Sequence, residues 1–68
     1  MINGRSEAMA KFKVIDILEG RDTLGYCNNM VQVNKLVVER IEDTDGECLI
    51  ELRELNTETH KYRYLKIL

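Results

Sequence analysis

At 68 residues the chain is a single small domain, and a chain of that size buries only roughly 60 % of the surface its unfolded form exposes. Its 44 % hydrophobic and 32 % charged residues, with net charge −2, lie far from the compositions of disordered or membrane-spanning chains. Two cysteines and one histidine exclude a framework of several disulfides and a four-ligand zinc site.

Residues 1–10 are polar, contain Gly4 and Ser6 and lack periodicity, so a flexible leader is expected there. Met9-Ala-Lys-Phe12 would serve as a natural start, with residues 1–8 an upstream extension. The leader has no apolar segment of the secretory kind, which together with sparse cysteine predicts a cytoplasmic protein with reduced thiols.

Lys11–Leu18 is the first predicted strand. Phe12, Val14 and Leu18 alternate onto one face with Asp16, and Ile15 and Ile17 fall on the other, so the strand is expected to be covered on both sides. Glu19–Asp22 reads as a turn around Gly20. Leu24–Cys27 and Met30–Val33 flank Asn28-Asn29, a pair able to adopt the left-handed conformation of a tight hairpin, and predict one irregular strand or a short hairpin.

Leu36–Glu42, Glu47–Leu55 and His60–Leu68 are three β-capable runs, separated by Asp43-Thr-Asp-Gly46 and Asn56-Thr-Glu-Thr59. That spacing predicts a meander of neighbouring strands. A helix competes over the first run, because Val33, Leu36, Val37, Arg40 and Ile41 follow the i, i+3, i+4 pattern of one helical face. The β-branched side chains Val31, Val33, Val37, Val38 and Ile41 favour strand there. The expected fold is therefore all-β, a four- to five-stranded antiparallel meander or partly open barrel of the SH3-like or OB-like size class. The alternative is α+β, with a helix at about 33–42 against a three-stranded sheet.

Nothing in the chain forms a catalytic or cofactor-binding constellation. Ser6 lies in the leader, Cys27 and Cys48 fit small core hydrophobes, and His60 has no spacing relation to either. The four glycines are isolated, so no phosphate-cradling loop is present. Asp43, Asp45 and Glu47 resemble the start of a calcium loop, but the remaining ligands are missing. No cofactor, no metal and no enzymatic activity are expected.

Charge is distributed more tellingly. Glu39–Glu58 contains eight acids (among them Glu39, Glu42, Asp43, Asp45 and Glu47) against Arg40 and Arg53, a net of −6. Thr59–Leu68 carries Lys61, Arg63 and Lys66 with no acid. An acidic hairpin beside a basic, tyrosine-containing last strand predicts a non-enzymatic module that binds another protein or a second copy of itself. The acidic hairpin and the terminal edge strand are its candidate surfaces. The alternatives are a single-stranded nucleic-acid binder using Lys61, Tyr62, Arg63, Tyr64 and Lys66, with both tyrosines and Lys66 on one face, and a small subunit of a larger enzyme or self-assembling complex. A third reading needs no partner: the complementary charges pair with one another across neighbouring strands.

Overall fold

The computed structural model describes residues 9–68; the upstream extension read for residues 1–8 lies outside them. Four strands and one helix follow in the order β1 (Phe12–Asp16), β2 (Asp22–Cys27), α1 (Met30–Thr44), β3 (Ile50–Asn56) and β4 (Lys61–Ile67). The strands form one antiparallel sheet in the order β2-β1-β3-β4. Because β1 is antiparallel to both neighbours, β2 and β3 run the same way, and α1 is the crossover that joins them. The sheet is open. β4 pairs with β3 alone, so the last strand does not close a barrel against the first.

The mainly-β antiparallel reading holds, but residues 36–42 are helix, as in the α+β alternative, and the sheet has four strands rather than three. Local chemistry at both ends explains why the β-branched residues were overridden. Asn29 is extended (φ −154°) and caps the helix: its side-chain oxygen accepts the Gln32 N–H at 3.0 Å, while Gln32 Oε1 accepts the Asn28 N–H at 2.7 Å. The Asn28-Asn29 pair is thus a helix start and not a hairpin turn. At the other end Asp45 takes the left-handed conformation (φ 55°) and the Gly46 N–H returns to the Ile41 carbonyl at 2.9 Å. Asp43–Gly46 therefore ends a helix, and the acidic hairpin expected from it does not form.

The helical face read from the sequence is the one that packs. Val33 is fully buried, and Leu36 and Val37 lie half-buried against the core of Phe12, Val14, Cys27, Ile50 and Leu52. Gly25 on β2 is where the helix comes closest: a Cβ there would lie 2.8 Å from Leu36 Cδ1. A register shift between Val14 and Ile15 sets Leu24 out of pairing, and Leu24 packs on the core as well. None of the core side chains comes from β4.

Asp16, at the end of β1, is the one buried acid on the helix side and it is fully partnered. Its Oδ1 accepts the Leu18 and Leu49 N–H groups, both at 3.1 Å, and its Oδ2 accepts Arg40 Nε at 2.8 Å. The same guanidinium reaches Asp22 at 2.9 Å. Asp16 thereby ties the β1–β2 turn and the entry to β3 onto the last helical turns. Its carboxyl is held below the usual carboxylate range, first by the Leu18 N–H and then by Arg40.

Candidate binding face and edge

The helix covers one face of the sheet. The other bears all three tyrosines of the chain. Directly paired residues of antiparallel strands point to the same side, so Lys13 stands with Tyr26 and Arg53, Arg53 with Tyr64, and Leu55 with Tyr62. Tyr26 and Tyr62 come from opposite edge strands, yet their ring centroids are 5.6 Å apart at an interplanar angle of 56°. That tilted geometry is a favourable aromatic pair. Lys13 Nζ lies 5.7 Å from the Tyr26 ring centre.

The rings differ in freedom. Tyr62 is half-buried, and its hydroxyl donates to the Ala10 carbonyl at 2.7 Å. Burial, and secondarily Tyr26, pushes its phenol pKa up. Tyr26 and Tyr64 are 56 % and 55 % exposed. Further along the face, Glu51 is buried and accepts Arg53 Nε at 2.7 Å and Arg21 at 3.4 Å. Arg53 first, then Arg21, holds the Glu51 carboxyl below its ordinary range. Ile15, paired between Thr23 and Glu51, is buried on this side, as its two-sided pattern predicts.

β4 is the exposed edge of the sheet beside this face. Lys61, Arg63, Tyr64, Lys66 and the apolar Leu65 and Ile67 are all exposed, and only Tyr62 is half-buried. Arg63 pairs across the sheet with Glu54, at 3.9 Å, which is the cross-strand charge pairing weighed from the sequence. One expectation fails: a register shift opposite Leu52/Arg53 places Tyr64 against Arg53 but Lys66 against the core residue Leu52. Strict alternation put Lys66 on the tyrosine face; the bulge removes it and brings Ile67 opposite Glu51 instead.

The acidic candidates lie elsewhere. Glu39, Glu42 and Asp43 are exposed on the second half of α1, Asp45 is its left-handed cap, and Glu47 follows in the connection to β3. The cleft at this end, lined by Asp16, Arg21, Asp22, Arg40 and Glu47, has its central charges engaged in the Arg40 pairs. Cys27 is buried beneath the helix, where burial raises its thiol pKa, and Cys48 is half-buried against the same core. His60 is exposed in the β3–β4 turn at φ 59°. Among the described residues no three His, Cys, Asp or Glu side chains are grouped to hold a metal ion, and no helix is long and apolar enough to cross a membrane.

Sequence reasoning found Tyr62 and Tyr64 but missed Tyr26 and Lys13. Reading residues 24–33 as one irregular strand or a short hairpin hid where the strand that carries Tyr26 ends. The Asn29-x-x-Gln32 capping pattern ahead of the helical spacing was the signal that would have ended that strand at Cys27. Comparison of the chain with protein-family models, curated proteins and solved structures returns no match.

Proposed function

We propose that this is a non-enzymatic interaction module that binds another protein by accepting an extended, acidic segment along the free edge of β4. The observation that carries this reading is the position of β4: among the described residues it pairs only with β3, so one side of its backbone is unpartnered within the sheet. Strand addition at such an edge uses main-chain hydrogen bonds for affinity and alternate side chains for specificity. Lys61, Arg63 and Lys66, with no acid among the seven residues of the strand, favour an acidic partner. Pairing of β4 with β4 of a second copy would set three cations against three, which disfavours the homo-oligomer.

A peptide alternating glutamate and valine tests the proposal, with the lysine–valine analogue as control. Amide hydrogen exchange read by NMR is expected to slow along β4 on addition of the acidic peptide. The double variant Lys61→Glu/Lys66→Glu is expected to weaken that binding by about tenfold or more. Removal of residues 65–68 takes away no core side chain and should leave a folded domain that no longer binds. No protection at β4, equal binding of the lysine peptide, or concentration-dependent protection without peptide (self-pairing) each contradicts the reading.

A further inference from the structure

We infer that the tyrosine face is a second, separate binding site, and that it takes single-stranded nucleic acid. The inference uses the face of the sheet and the proposed protein site uses its edge, so both can be occupied together. Three features converge on it. Every tyrosine of the chain is gathered on one side, two of them more than half exposed, although they arise on strands at opposite edges. The platform is held in place: the Tyr62 hydroxyl is bound to the Ala10 carbonyl and its ring abuts Tyr26. The face thus presents exposed rings beside a fixed one.

Charge points the same way. Lys13 stands over Tyr26, and Arg53, paired with Lys13 and Tyr64, lies on the same side, whereas Lys61, Arg63 and Lys66, opposite Asn56, Glu54 and Leu52, belong to the helix side. The strand acid on this side, Glu51, is already engaged by Arg53 and Arg21, so three cations stand against one acid here. Glu39, Glu42 and Asp43 are carried by the helix, on the opposite side of the sheet. Rings beside a local excess of positive charge suit unstacked bases joined by phosphates; a duplex offers its bases edge-on in grooves and cannot lie on such rings. A protein partner would gain more from apolar side chains, but Ile15, paired between Thr23 and Glu51 at the centre of this face, is buried and unavailable.

The absence of tryptophan makes the test direct, because intrinsic emission comes from the three residues in question. Fifteen-nucleotide oligothymidine and oligouridine are titrated into the full chain at two salt concentrations, following tyrosine quenching and the anisotropy of a labelled oligonucleotide. Quenching with saturable binding is expected, with affinity falling as salt rises with a log–log slope of roughly −1.5 to −2 for two to three displaced counterions. Tyr26→Ala should weaken binding by about fivefold to a hundredfold, the range for one lost base stack, while Tyr26→Phe stays near wild type. Tyr26 is on β2, so Tyr26→Ala should leave the acidic peptide's binding to β4 unchanged, which separates failure of this site from failure of the edge site. Circular dichroism shows whether each variant is folded. Binding without quenching, an unaltered affinity in folded Tyr26→Ala, equal affinity for duplex, or equal quenching by the acidic peptide, which would make the face a protein site, overturns the inference.

Discussion

Replacing Asp16 by alanine is the sharpest test of how this small domain is held together. The substitution removes one acceptor oxygen from two backbone N–H groups, those of Leu18 and Leu49, and a second from Arg40 Nε. Each backbone N–H left without its partner costs about 1 kcal/mol when water can reach it, and a bond to a charged group contributes about 1.5–3 kcal/mol. Leu18 and Leu49 are half exposed, so the lower values apply and the loss comes to about 2–4 kcal/mol. Stability of about 0.05–0.15 kcal/mol per residue gives a domain of this size about 3–10 kcal/mol in all. Urea unfolding followed by far-ultraviolet circular dichroism should therefore show a midpoint far below wild type, or a chain largely unfolded without denaturant. Asp16→Asn keeps the oxygen that serves the two N–H groups but sets an NH2, itself a donor, against Arg40 Nε, losing both charge and acceptor there, so it should fall between the two. The pH dependence supplies the sign. The folded-state pKa of Asp16 is depressed, so its contribution is fully present above the unfolded value of about 3.9 and is lost as pH falls through the lower folded value. The gap between wild type and Asp16→Asn should accordingly narrow from pH 7 toward pH 3. A loss below about 0.5 kcal/mol for Asp16→Ala, or a gap that does not change with pH, would refute the assignment of this carboxylate as the tie between helix and sheet.

Two further substitutions probe the helix. Asp45→Gly relieves a left-handed backbone that disfavours a side chain and removes a negative charge from the negative end of the helix dipole; a gain of about 0.5–1.5 kcal/mol is expected, read as a rise in melting temperature of several degrees. Gly25→Val should cost about 1–3 kcal/mol by forcing Leu36 aside, and the double variant Gly25→Val/Leu36→Ala should recover part of it in the same denaturation assay. Additive effects of the two changes would mean that this close approach of strand and helix is not the cause.

How much of this could be read from the residues alone depended on where a segment's local signals agreed. Around β1, β3 and β4 alternation, β-branching and turn chemistry point the same way, and Asn56 even accepts the Glu58 and Thr59 N–H groups as the turn reading implies. Residues 28–46 gave conflicting signals. Asn28-Asn29 and Asp45-Gly46 are compatible with hairpin turns and equally with helix ends, since both need residues tolerant of unusual backbone angles. Five β-branched residues tilted the choice toward strand, whereas burial of Val33, Leu36 and Val37 against the sheet decided it for helix. The tyrosine face was half legible for a different reason. Strand pairing over long sequence separation brings Tyr26 to Tyr62, and bulges change which residues share a side. Neither can be counted from a single strand.

That β4 supplies nothing to the buried core has a consequence for how the molecule can change. Six of its seven residues are exposed and can vary in charge or size without refilling any space beneath the helix, while a change at Val14 or Leu52 is felt by every neighbour in a close-packed interior. As an edge strand outside the core, it is expected to open before the sheet's centre and to exchange its amides sooner than β1 and β3. Mutation can therefore rewrite what the edge presents while the rest of the domain stays as it is.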